Sequence, residues 1–73
     1  MNQLSRFAIC TQNINADDLE LRKVYLIIPD TRAESENLLR IVDESGEDYL
    51  YPANYFVAID LPQEDQQALL MAA

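Results

Sequence analysis

The only glycine of the chain, Gly46, stands in a short polar turn between two runs of strand-forming residues, and this placement restricts the fold more than any other feature. Leu38 to Asp43 (LLRIVD) and Asp48 to Tyr51 (DYLY) flank Glu44-Ser45-Gly46-Glu47. Glycine takes positive φ without a Cβ penalty, so the turn predicts a tight β-hairpin and its flanks two antiparallel strands. A chain of 73 residues has room for one small domain built round such a hairpin. At 8.4 kDa, folding takes about 12,200 Å² of surface down to about 4,600 Å², a burial of about 62%. Cys10 is the sole cysteine and histidine is absent, so no internal disulfide or Cys/His metal cluster can staple so thin a core. Packing has to do it.

Three further runs read as strands. Arg6 to Thr11 (RFAICT) is short, apolar and rich in β formers, and it precedes a polar Asn/Asp-rich loop from Gln12 to Asp18. Within Leu19 to Ile28, the run Val24-Tyr25-Leu26-Ile27-Ile28 predicts a strand buried on both faces, which Pro29 ends. Thr31 and Glu34 have the spacing of a capping box, so one or two helical turns are expected over Arg32 to Asn37. Pro52-Ala53-Asn54 breaks the pairing after the hairpin, because proline has no N–H for a ladder, and Phe56 to Asp60 (FVAID) resumes as a fifth strand. From Pro62 to Met71 the pattern is helical: proline suits the first position, Glu64 and Asp65 complement the positive helix end, and Ala68, Leu69 and Ala72 share a face. The expected fold is mainly β, a five-stranded antiparallel small barrel over residues 6–60 with a short C-terminal helix over 62–72, all one domain of residues 1–73.

Charge is divided unevenly along this chain. Residues 1–40 hold six acids and five bases, whereas residues 41–73 hold seven acids and no base, for a net charge of −8. Such a balance argues against binding nucleic acid through its phosphates. Met1 to Arg6 carries no apolar stretch of signal-peptide length, and the run from Val24 to Ile28 is too short to cross a bilayer, so a reducing cytoplasm and no membrane are expected. Asp43, Glu44, Glu47 and Asp48 form an acidic patch that reads either as a solvated hairpin tip or as a face attracting a basic partner. Four acids without alternating oxygen ligands do not make an EF-hand loop. A nucleophilic Cys10 would need a base or a positive neighbourhood, so it reads as a small core residue. No catalytic, cofactor-binding or metal-ligating residue is predicted, and an enzyme is not expected.

Leu19-Glu20-Leu21-Arg22-Lys23-Val24-Tyr25, the Glu44-Ser45-Gly46-Glu47 hairpin and above all Pro52-Ala53-Asn54-Tyr55-Phe56-Val57 stand in an order that resembles the Src-homology-3-like barrels, in particular their small bacterial relatives. The likeness runs from Phe7 to Ile59. The resemblance implies a groove whose aromatic ridges clasp polyproline-II segments beside acids that pair a ligand Arg or Lys. Pro52 and Tyr55 match two such groove positions, and Asp17, Asp18 and Glu20 lie in the stretch that supplies the acids. Other positions depart from the pattern. Ala8-Ile9-Cys10-Thr11 stands where tyrosines are usual, and Asn37 or Leu38 stands near the place of a tryptophan that this chain lacks altogether. Without that indole, stacking of a proline ring loses its largest flat surface.

The function expected is therefore a non-enzymatic, cytoplasmic protein-interaction module. Its partner surface would comprise Tyr49, Tyr51, Pro52 and Tyr55 with Asp17, Asp18 and Glu20, since tyrosine joins apolar area to a hydroxyl. Strand alternation puts Tyr49 and Tyr51 on one face and Leu50 on the other, an exposed pair beside Tyr55, while Tyr25 belongs to the core. Another copy of the chain is also a candidate partner, because an apolar C-terminal helix gains burial by dimerising. The alternative is an acidic inhibitor or nucleic-acid mimic that offers Asp43, Glu44, Glu47 and Asp48 to a basic protein surface. The two differ in salt response, which should be steep for the mimic alone.

Overall fold

Runs of β-branched and aromatic residues become strands where proline or polar punctuation ends them, and the chain follows that rule closely. In the computed structural model, which describes residues 6–72, the strands are β1 (Phe7–Cys10), β2 (Val24–Ile28), β3 (Leu38–Val42), β4 (Asp48–Pro52) and β5 (Phe56–Ile59). Helix α1 (Thr31–Ser35) joins β2 to β3, a 3-10 turn over Ala53–Tyr55 joins β4 to β5, and α2 (Gln63–Ala72) ends the chain. Residues 1–5 and 73 of the single domain expected over 1–73 lie outside the described residues, as do the side chains of residues 70–72.

All strand pairs are antiparallel and the order across the sheet is β4-β3-β2-β1-β5. The two edge strands are thus consecutive in the chain. A flat sheet of five strands would set them about 19 Å apart, whereas the four steps from Pro52 to Phe56 reach at most about 14 Å even when extended. The short link therefore forces the sheet to curl, and it brings the rings of Tyr51 and Phe56 to 6.3 Å between centroids. No ladder joins β4 to β5 among the described residues, so the sheet stays open where a closed one was expected.

Curling encloses one face. Ala8 and Cys10 of β1, Tyr25 and Ile27 of β2, Ile41 of β3 and Phe56 of β5 fill the interior, with Ala16 and Leu19 plugging it from the β1–β2 loop. Burying each large aliphatic or aromatic side chain contributes about 1.5–3 kcal/mol, and Ile41 at 0% exposure sits at the centre. The opposite face is apolar too. Ile59, Phe7, Leu26 and Val42 line up directly across β5, β1, β2 and β3, and Val57, Ile9 and Val24 form a second row. Leu69 of helix α2 lines one groove together with Phe7, Leu26 and Val42 of that row, while the helix's other described side chains stay largely solvated, Ala68 included.

Helix α1 is capped one residue earlier than the Thr31/Glu34 spacing predicts. Asp30, in extended conformation, accepts from the Ala33 N–H at 3.0 Å, and Thr31 is already the first helical residue. Asp30 wins because its carboxylate also holds the Arg40 guanidinium at 2.8 Å, which a threonine hydroxyl could not do. The turn ends at Asn37, whose φ of +61° is a left-handed stop. No helix among the described residues is long and apolar enough to cross a membrane.

Candidate functional site

The two acidic segments picked out in the sequence, 17–20 and 43–48, meet at one end of the sheet. The β1–β2 loop is not slack: Ala16 and Leu19 anchor it in the core, Asn13 donates to the Leu19 carbonyl at 3.1 Å, and Arg22 donates from its backbone to Cys10 at 2.7 Å. Arg22 at φ +64° and Asn15 at φ +57° supply the reversals that fold the loop back. The loop is then fastened to the hairpin. Glu44 N–H donates to the Asp18 carbonyl at 3.0 Å. The Tyr25 hydroxyl accepts from the Glu20 N–H and donates to the Glu44 carboxylate, both at 2.7 Å, and Lys23 pairs with the same carboxylate at 2.8 Å. The Lys23 ammonium and then the Tyr25 hydroxyl hold Glu44 below the usual carboxylate range, while burial and then Glu44 push the Tyr25 phenol well up.

Asp43 departs from the expected solvated patch. Only 5% of it is exposed, because its Oδ1 takes both the backbone N–H and the hydroxyl of Ser45, and its Oδ2 takes the Tyr51 hydroxyl at 2.6 Å. Burial alone would raise its pKa, but the Ser45 and Tyr51 donors outweigh it and the carboxyl ends below its ordinary value. Asp48 is also engaged: Arg40 bridges it at 3.0 Å to Asp30 at 2.8 Å, tying β4 through β3 to the cap of α1. Glu44 and Asp48 thus carry internal counter-ions. Glu47 accepts from the Tyr49 hydroxyl at 2.8 Å and lies exposed with Asp17, Asp18 and Glu20.

Of the tyrosines expected outside, Tyr49 alone is fully outside, at 49% exposure. Tyr49 and Tyr51 do share a face, but the register Ile41↔Tyr49 and Leu39↔Tyr51 makes it the face that carries the core. Tyr51 is consequently half-buried, edge-on to Phe56, and Tyr55 is half-buried with its hydroxyl on the Ile14 carbonyl at 2.9 Å. Pro52 is exposed. Tyr25 and Cys10 lie in the core as expected, and burial raises the Cys10 thiol pKa, away from thiolate. No protein-family model matches this chain, and neither do any curated protein or solved structure.

What remains on the surface is a phenol ring set among carboxylates. The Tyr49 hydroxyl donates to Glu47 at 2.8 Å, and that bond first, followed by the negative charges of Glu47, Asp43 and Asp18, raises the phenol's pKa. The arrangement offers an aromatic face and acceptor oxygens, and so suits a cationic side chain. A groove of about 490 Å³ lies beside Leu69 of α2, lined by Val24, Leu26 and Val42 with Lys23 and Glu44, and Tyr49, Tyr51 and Tyr55 do not line it. No cluster of three or more His, Cys, Asp or Glu able to hold a metal occurs among the described residues. The Tyr25–Glu44–Lys23 fastening was not foreseen. One signal for it was present: a buried tyrosine hydroxyl needs a partner, and Tyr25 was expected inside.

Proposed function

We propose that the chain is a small Src-homology-3-like barrel acting as a protein-interaction module, and that it takes a basic segment of another protein against Tyr49. The strand order, with β5 returning beside β1, and the 3-10 turn formed by Ala53–Tyr55 support the barrel assignment. The observation that carries the functional reading is the Glu44–Asp18 backbone bond at 3.0 Å, which sets the loop acids Asp17, Asp18 and Glu20 beside the hairpin that bears Tyr49 and Glu47. A ligand Arg or Lys would stack on the ring while pairing with an adjacent carboxylate. Pro52 and Tyr55 extend the surface along the link to β5. The nucleic-acid mimic draws less support, because Asp43 is buried and Glu44 and Asp48 are paired within the chain.

Titrating the isotope-labelled protein with short Arg- and Pro-containing peptides tests this reading. Amide shifts should cluster at residues 17–20 and 47–55, and Tyr49→Ala should weaken binding about tenfold. Moderate salt should reduce the affinity without abolishing it. Peptides that perturb only the groove beside Leu69, or bind Tyr49→Ala as well as the native chain, would overturn the assignment.

A further inference from the structure

The two edges of the sheet are protected very differently. Strand β4 opens with Asp48 and closes with Pro52, both of which discourage pairing with a further strand. Strand β5 is Phe56-Val57-Ala58-Ile59, with no charge and no proline. Its backbone orientation follows from the ladder. Thr11 N–H donates to the Tyr55 carbonyl at 2.7 Å and Ile9 stands opposite Val57, so the backbone groups of residues 55, 57 and 59 face β1 and those of Ala58 face away. Phe56 N–H, which points outward as well, is taken by the Ala53 carbonyl. Val57 is 55% exposed and Ala58 is exposed beside it. The free edge thus offers a donor and an acceptor on Ala58 between small or apolar side chains.

We propose that β5 is where two copies of this chain associate, pairing antiparallel about a two-fold axis at Ala58. A two-fold interface uses the same patch twice, and this strip is complementary to itself. Ala58 of each copy exchanges two N–H···O=C bonds with Ala58 of the other, and Val57 of one lies beside Ile59 of the other, which continues the Val57–Ile9–Val24 row across the junction. Charge selects the same place. At a net −8, like copies repel over most of their surface, and β5 is an uncharged stretch of it.

Sedimentation equilibrium of the full chain from about 1 µM to about 1 mM should show a monomer–dimer equilibrium. Val57→Lys, placing a charge at an already exposed site, should raise the dissociation constant at least about tenfold, and Leu50→Lys on β4 should leave it unchanged. On the native chain, the Ala58 amide should exchange more slowly as concentration rises; this readout needs no variant to fold. A chain monomeric throughout, a dimer indifferent to Val57→Lys, or Ala58 exchange independent of concentration would overturn the proposal. So would a monomer that takes an unrelated extended peptide at Ala58.

Discussion

Asp43 lies in the most acidic stretch of the chain, yet three donors from Ser45 and Tyr51 converge on it and close it off from water. A buried carboxylate so surrounded is stabilised as the anion, and replacing it by an amide turns one accepting oxygen into a donor facing donors. Asp43→Asn should therefore lower unfolding free energy by about 1–3 kcal/mol at neutral pH, measured by urea denaturation. The sign of the pH dependence follows from a folded pKa below the unfolded value. The carboxylate's contribution is complete above the unfolded value of about 3.9 and disappears as pH falls through the lower folded value, so native and variant curves should converge there. Tyr51→Phe removes one of the three donors and should cost about 1 kcal/mol, whereas Tyr49→Phe, which loses only an exposed contact to Glu47, should be silent. Equal losses at both tyrosines would contradict the burial of Asp43.

At the level of elements, positive φ marks where the chain reverses. Gly46 has φ +84° and a Cβ built there would meet nothing within 4 Å, so Gly46→Ala should cost about 1 kcal/mol from the backbone alone. Arg22 adopts φ +64° with a side chain that dislikes it, and Arg22→Gly should gain about 0.5 kcal/mol, the strain relieved less the added chain entropy. Both are measured by thermal or urea midpoints. The hairpin and the five strands were legible because their signals are local: one glycine, three prolines and runs of β formers. The facing of β4 was not. With apolar residues on both sides of the sheet, alternation separates Tyr49 and Tyr51 from Leu50 without saying which side curls inward; only the three-residue link to β5 decides it. The junction of loop and hairpin was equally hidden, since the Glu44–Asp18 bond is backbone to backbone and leaves no mark on residue identity. The α1 cap was missed by one position because Arg40, ten residues on, is what favours Asp30.

Across the whole molecule, thirteen acids against five bases leave a repulsion that compact folding must overcome. The ion pairs that oppose it, Lys23 with Glu44 and Arg40 with Asp30 and Asp48, are partly exposed, and pairs of that kind contribute little and are themselves screened. Added salt acts on both sides. It shortens the screening length from about 30 Å at 0.01 M to about 10 Å at 0.1 M, which removes the many long-range repulsions across a body 33 × 28 × 19 Å before it much weakens contacts near 3 Å. Stability should therefore rise with sodium chloride over that range, read as an upward shift of the thermal midpoint. The same rise should shrink as pH falls toward 4 and carboxylates take up protons, because the repulsion being screened is then already gone. A midpoint that falls with salt at neutral pH would mean that the few ion pairs, not the excess of negative charge, govern the electrostatics of the fold.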